Sequence, residues 1–235
     1  DTVKRVTFDL ASTSVSAYSK KLAAEWTVEL MQDAMAYFNM SVEPLMLRAK
    51  SIEIGLELDS DILEGILASA TGGDTEWSAT PPVGDVTTVD KKGYAATLYD
   101  AIITAANKIY KKCYTYPNWI VAGVDAVERL EKLENFKLDP LATAPTVQRQ
   151  YVGVLNGKFK VYKDPFFMAD NKMLLGFKDS QIDLYAGFMF CPYIPIYLTG
   201  TVENPTVFKF AKGMMSRNAM KMLNGDMYGT VTITA

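Results

Sequence analysis

Acidic side chains recur at helical spacing in the second quarter of the chain. Four of them stand at intervals of four, four and three residues: Glu53, Glu57, Asp61 and Glu64. A helix would bring them near one stripe, where carboxylate oxygens could bind Mg²⁺ or Ca²⁺. A helical di-iron cluster also needs histidines, and the chain has none. Two other interpretations stay open: a solvated helix face, or a contact with Lys or Arg of a neighbouring molecule, which would relieve the repulsion between like charges.

A second pair of carboxylates, Glu25 and Glu29, flanks Trp26. Paired carboxylates can act as acid and base when their environments differ. One-turn spacing on a helix is also a common surface pattern, so these three residues are candidates for a subunit contact as well.

The composition excludes several kinds of catalytic site. Without histidine there is no Ser-His-Asp or Cys-His apparatus, no HExxH zinc site and no Cys₂His₂ zinc finger. The two cysteines, Cys113 and Cys191, are too few for a disulfide scaffold or a four-cysteine metal site, so we expect free thiols. We expect no catalytic residue, metal or cofactor.

Charge and hydropathy narrow the function classes further. The net charge is −3, whereas nucleic-acid readers usually carry a strongly basic face. The longest apolar stretch, residues 184–198, contains Pro192 and Pro195 and is shorter than the roughly 20 residues of a membrane span. We therefore expect neither sequence-specific DNA binding nor membrane insertion.

Apolar periodicity predicts four helices, at residues 19–38, 41–70, 93–114 and 125–133. The second begins well, with Ser41 as a cap and Pro44 in the first turn, and it would be a long spine of about 40 Å. Residues 72–92, rich in Gly, Thr, Asp and Pro, predict a boundary or a long loop.

Strand signals dominate the second half of the chain. Asn156-Gly157 between two alternating runs is typical of a hairpin with a two-residue turn. The predicted strands are residues 5–10, 119–121, 151–155, 158–162, 173–177, 182–185, 202 with 207–211, and 228–234. Helices followed by strands indicate the α+β class.

Two apolar segments remain to be placed. Residues 188–195 are aromatic and proline-rich, and they could be core or a buried contact between subunits. The methionines near the end predict core packing more than an adaptable interface. A long spine, no catalytic set and much apolar surface together suggest a structural subunit.

The order of the segments resembles the major capsid proteins of T-even-like tailed phages. The segments that carry the resemblance are residues 19–33 before the spine, 118–121, the 151–162 hairpin, 162–165, the aromatic Pro-Tyr-Ile-Pro stretch in 186–195, and 212–217, which ends in Met-Met-Ser-Arg. Asn218 stands where that family has Tyr, so the last match is looser.

The resemblance implies the HK97-type capsid fold. Residues 1–18 would be the returning strand of a partial extended loop (E-loop). Residues 19–85 would form the peripheral domain with its spine helix, residues 86–200 the axial domain, and residues 201–235 return strands of the peripheral domain. We expect the N-terminal arm and the outgoing E-loop strand to lie before Asp1. Maturation would move the domains about a joint at 72–85.

The implied function is assembly of hexamers and pentamers into an icosahedral head that encloses double-stranded DNA. Implied partners are copies of the chain, a scaffold, a maturation protease, a portal and decoration proteins, with assembly in the bacterial cytoplasm. The candidate interface residues are Glu25, Trp26, Glu29, Glu53, Glu57, Asp61, Phe190, Pro192, Tyr193, Pro195 and Arg217. An encapsulin-like or vertex shell protein is the first alternative, and a carboxylate- or metal-dependent soluble enzyme is the second.

Overall fold

A computed structural model describes residues 14–80, 91–139, 149–167, 171–178 and 186–234. The helices are α1 Val28–Phe38, α2 Val42–Ser69, α3 Lys91–Cys113 and α4 Val124–Glu131, with a short 3₁₀ turn at Gly225–Met227. The strands are β1 Tyr18–Thr27, β2 Gly73–Ser78, β3 Trp119–Ala122, β4 Phe136–Leu138, β5 Gln150–Leu155, β6 Phe159–Lys163, β7 Lys172–Gly176, β8 Phe188–Leu198, β9 Val202–Asn204, β10 Lys209–Met222 and β11 Tyr228–Thr234. The class is α+β, as predicted.

Among the described residues, seven strands form the larger sheet, in the order β2-β11-β7-β3-β6-β5-β4. Its two parallel pairs are β2 with β11 and β3 with β6, and the other pairs are antiparallel. Residue alternation along β3 builds a core on each face, because successive side chains of a strand point to opposite sides. Ile120 packs with α3 and α4, whereas Val121 packs with α2. The larger sheet is therefore buried between α2 on one side and α3 with α4 on the other.

The smaller sheet has β10 at its centre, with β1 along one side and β8 and β9 along the other. Its small core joins Ala24 and Trp26 of β1 to Val42 at the start of α2. Helix α2 thus contacts both sheets and links them.

Helix α2 confirms the predicted spine. Its 28 residues correspond to about 42 Å at 1.5 Å per residue. Ser41 is its N-cap residue but makes no side-chain capping bond. Helices α3 and α4 also lie where periodicity predicted them. Over the described residues, no helix is both long and apolar enough to cross a membrane.

The predicted helix at 19–38 is wrong over its first half. Residues Tyr18–Thr27 form strand β1, and the helix begins only at Val28, where the Thr27 side chain accepts a hydrogen bond from the Leu30 amide. Leu22 and Trp26 are four residues apart, a spacing that satisfies both a helix and an alternating strand. Ten residues of this segment pair with β10, and this pairing stabilises the strand over the helix.

The predicted loop at 72–92 is also corrected. Residues Gly73–Ser78 form β2, which pairs with β11 along its whole length. Gly72 and Gly73 are buried, and a Cβ on Gly72 would overlap the carbonyl of Asp226. These glycines allow close backbone approach, so residues 73–78 are a paired strand and not a loop. Residues 81–90 lie outside the described residues.

The hairpin prediction is confirmed with one change. Asn156 and Gly157 both have positive φ, as a type I′ turn requires. The Lys158 amide closes the turn on the Leu155 carbonyl, and strand pairing resumes with Leu155 opposite Phe159, so the loop is one residue longer than predicted.

The other predicted strands are confirmed in part. The predicted strands at 119–121, 173–177 and 228–234 are present. Segments 202 and 207–211, expected to form one strand, belong to the antiparallel pair β9 and β10, and β10 continues to Met222. The predicted strands at 5–10 and 182–185 lie outside the described residues.

The predicted domain boundaries do not coincide with the sheets. Strand β2 belongs to the larger sheet although residues 19–85 were assigned to the peripheral domain. Strand β8 belongs to the smaller sheet although it lies within 86–200, and β11 belongs to the larger sheet although it lies within 201–235. Pairing between strands that are far apart in the chain leaves no local signal in the sequence.

Candidate functional site

The acidic stripe of α2 faces a lysine of the same chain. Lys20 of β1 places its Nζ 2.9 Å from Glu57 Oε1 and 2.6 Å from Asp61 Oδ2. Partial burial lowers the pKa of Lys20, but hydrogen bonds to Asp61 and Glu57 outweigh this and leave the pKa above its ordinary value. A neighbouring molecule is therefore not needed to offset the repulsion between these two carboxylates.

Of the other two acidic residues of the stripe, Glu53 is exposed and Glu64 is half-buried. Glu53 pairs with Lys50 one turn earlier, at 2.9 Å. In the parts of the chain that the structure describes, no group of three or more Cys, Asp or Glu side chains is placed to hold a metal ion. Three of the four carboxylates of the stripe thus pair with lysines of the same chain, and Glu53 and Glu57 remain partly open to solvent.

Trp26 is buried, whereas Glu25 and Glu29, which flank it, are exposed. Trp26 is only 3% exposed and packs beside Phe210 of β10, with ring centres 6.3 Å apart. We therefore withdraw its ring from the candidate subunit contacts. Glu25 is exposed and lies 3.9 Å from Lys209, and Glu29 is exposed in the first turn of α1.

Strand β8 is an apolar edge strand open to solvent. Nine of its eleven residues are exposed, including Phe190, Pro192, Tyr193 and Pro195. Prolines lack the N–H that a further strand would need, so they hinder unplanned pairing along this edge. The β8 segment is therefore not core of this chain.

One contact orders the exposed aromatic side chain at the middle of β8. The Arg217 guanidinium of β10 lies 5.4 Å from the centre of the Tyr193 ring, a cation–π distance. Tyr193 nevertheless remains 71% exposed. Tyr193 and Arg217 thus contact each other, and Phe190 is exposed elsewhere on β8.

Helix α1 presents a second apolar surface. It has no buried residue, and Met35, Tyr37 and Phe38 are among its exposed side chains. Large apolar side chains exposed together on one helix often mark a contact with another molecule. We call the exposed residues of β8 the β8 face and those of α1 the α1 face.

Most of the methionines near the end of the chain pack inside it. Met214 and Met227 are buried, and Met215, Met220 and Met222 are half-buried. This agrees with the prediction of core packing.

A buried ion pair that sequence reasoning missed ties α2 to the larger sheet. Asp164, 1% exposed, accepts a hydrogen bond from Arg149 Nε at 2.7 Å and another from the Phe166 amide. The same guanidinium reaches α2, donating to Ser60 Oγ at 2.8 Å and lying 3.2 Å from Asp59 Oδ2. Asp164 falls in the 162–165 segment already noted, but no motif in the sequence singles out Arg149.

One ion pair and one hydrogen bond hold the two ends of α2. Near its start, Lys212 donates to Glu43 at 2.6 Å, and this hydrogen bond lowers the pKa of Glu43. Beyond its end, Asp226 accepts hydrogen bonds from Lys112 and Thr71, which lower the pKa of Asp226. The spine helix is thus fixed at both ends to strands or turns that follow much later in the chain.

Solved structures share this architecture. The chain aligns with the mature capsid of bacteriophage PhiM1 over 99% of its own length and 79% of that chain, with TM-score 0.55 and 12% identity. It aligns with the SrpI encapsulin of Synechococcus elongatus over 93% of its own length and 73% of that chain, with TM-score 0.55 and 11% identity. The fold is therefore the HK97 type found in phage capsids, with a long spine helix joining two sheets.

The sequence matches are more specific. The family described as "Major capsid protein Gp23" matches residues 1–233, and the chain belongs to this family. It is 27% identical over 209 residues to the major capsid protein of Vibrio phage KVP40, covering 81% of this chain and 40% of that protein. It is 26% identical over 200 residues to that of Enterobacteria phage T4, covering 77% of this chain and 38% of that protein. The chain thus spans about two fifths of the length of these relatives.

Proposed function

We propose that this chain is a shell subunit that associates with copies of itself, as hexamers and pentamers, to form an icosahedral phage head around double-stranded DNA. The observation that carries the proposal is the β8 face, an apolar strand exposed along an open sheet edge in a chain of this family. Buried apolar area contributes about 25 cal/mol per Å², so weak contacts repeated around a closed lattice can hold a shell.

The two sheets suggest how the subunit divides. We propose that α1, α2 and the smaller sheet correspond to the peripheral domain, and that the larger sheet with α3 and α4 corresponds to the axial domain. Residues 14–18 and the start of β1 would belong to the returning E-loop strand. This division follows the sheets, not the boundaries at 85 and 200, because β2, β8 and β11 each pair with strands on the other side of those boundaries.

The wider role follows from the same proposal. The subunit would work without catalysis, in the virion, after assembly in the bacterial cytoplasm. Scaffold, maturation protease, portal and decoration proteins would be its partners, and DNA would be enclosed without sequence-specific binding. The net charge of −3 suits a shell that does not condense DNA through a basic lining.

Charge placed on the β8 face tests the proposal. Sedimentation of the full chain is expected to show large assemblies, which Tyr193→Glu with Ile196→Glu should dissolve into small species. Tyr114→Glu with Leu138→Glu is the control, since it places the same two charges at exposed apolar positions outside β8, 82% and 67% exposed. Loss of assembly in both variants, or in neither, would count against the β8 face.

An encapsulin-like shell is a second candidate of the same fold, since the encapsulin aligns with the same TM-score as the PhiM1 capsid. The family match favours the phage head. Nucleic acid extracted from purified particles would support the phage head, and protein cargo without nucleic acid would support the encapsulin.

A further inference from the structure

An open groove of about 700 Å³ lies between α2 and the larger sheet. One wall is formed by Ile62, Leu63 and Ile66, which are consecutive on one face of α2, and the opposite wall by Trp119 of β3 and Tyr162 of β6. The volume is within the usual range of ligand sites, about 300–1,000 Å³. The groove is mostly apolar, so an occupant would have to offer apolar side chains.

The aromatic wall is held in place by its neighbours. The Trp119 ring covers Gly176 of β7, where a Cβ would overlap it, and its centre lies 6.1 Å from the Tyr228 ring. Trp119 is therefore fixed against the sheet, with part of its surface open to the groove. A preformed aromatic wall binds without the entropy loss of ordering a flexible one.

Several charged residues of the groove lie on strand β6 or next to it. Lys158, Lys160, Tyr162 and Asp164 alternate along the turn and strand, so lysines line one end and Asp164 the other. At the Asp164 end, Arg149 neutralises the carboxylate at 2.7 Å. At the other end, Lys158, Lys160 and Lys178 form no ion pair with any described residue, and Lys158 lies 5.7 Å from the Tyr116 ring centre.

We propose that this groove binds an extended acidic peptide segment of a partner protein. Carboxylates of the peptide pair with Lys158, Lys160 and Lys178, and its apolar side chains lie between α2 and Trp119. An oligonucleotide would also match the lysines, but it would leave the apolar walls without partners and would meet the carboxylate of Asp59 at the far end. The site goes beyond shell assembly, because it needs only one subunit.

Fluorescence anisotropy of the full chain tests the site. The probe is a short labelled peptide in which glutamate alternates with leucine and phenylalanine. The variant K158E/K160E/K178E is expected to raise the Kd of this peptide at least about tenfold, and added salt should weaken binding to the unmodified chain. All three lysines are exposed, so the variant should fold.

The matched control is K21E/K111E/K137E, which makes the same charge change at exposed lysines outside the groove and should bind as the unmodified chain does. An equal loss in the control would overturn the site. So would equal binding of a peptide with lysine in place of glutamate, or tighter binding of an oligonucleotide. A chain that binds the peptide but stays monomeric would support the groove and contradict the shell proposal.

Discussion

At the residue scale, single ion pairs fix α2 to the rest of the chain. The sequence could predict that Glu57 and Asp61 share a helix face, because helical spacing is local. It could not predict that Lys20 faces them, since that contact depends on β1 being a strand paired with β10. Arg149 and Asp164 were missed for the same reason: the partners meet only after α2 packs on the larger sheet.

Arg149→Met should destabilise the protein by about 3 kcal/mol, because it leaves the buried Asp164 carboxylate without its cation. The free energy of unfolding in urea measures this. Adding Asp164→Asn should recover part of the loss, since the buried charge is then removed. Lys132→Met is the control: its pair with Glu128 is exposed, so the change should stay below about 0.5 kcal/mol. Equal effects at the two sites would contradict the account.

The ion pair of Glu43 should make stability depend on pH. The pKa of Glu43 is lowered in the folded state by the Lys212 hydrogen bond, so its contribution is present above its ordinary pKa of 4.5 and is lost as pH falls below that value. Glu43→Gln should therefore lower the urea midpoint at pH 7 and have little effect at pH 3. Glu134→Gln, at an exposed position, should change neither midpoint.

At the scale of elements, sequence reasoning succeeded where the signal is local and long. Helices α2 and α3 are longer than 20 residues, so their apolar period repeats several times, and the Asn156-Gly157 turn is set by its own backbone preference. Strand β1 was misassigned because Leu22 and Trp26 fit two periods. Strand β8 was not assigned, because exposed apolar residues on both sides leave no alternation to read.

Alanine substitutions at two glycines compare a closely packed position with an open one. Gly72→Ala should destabilise the protein by about 2 kcal/mol, because its Cβ would overlap backbone carbonyls. Gly55→Ala, in α2 with open space around it, should instead stabilise by about 1 kcal/mol. Thermal unfolding of the two variants measures the difference. Stabilisation by both would mean that residues 72–73 are a loose joint after all.

Strand β2 gives a direct test of the joint hypothesis. Its amides pair with β11 inside the larger sheet, so we expect them to exchange hydrogen as slowly as those of α2. Fast exchange over residues 73–78 with slow exchange in α2 would restore the joint. Slow exchange over residues 73–78 would place any hinge outside β2.

At the scale of the whole molecule, two sheets joined by one helix leave apolar surface that the subunit does not bury itself. The β8 face and the α1 face lie on the smaller sheet and its neighbouring helix, and no residue that the structure describes covers either of them. The order of segments in the sequence was enough to indicate the capsid family. The order of segments could not predict that β2 pairs with β11 or that β8 pairs with β10, because these contacts form between segments that are distant in the chain.

Electron microscopy of the purified full chain tests shell assembly most directly. The account predicts closed, regular particles, roughly tens of nanometres across, whose surface resolves into rings of five and six subunits. A compact monomer at every protein concentration, with the β8 face still exposed, would contradict it.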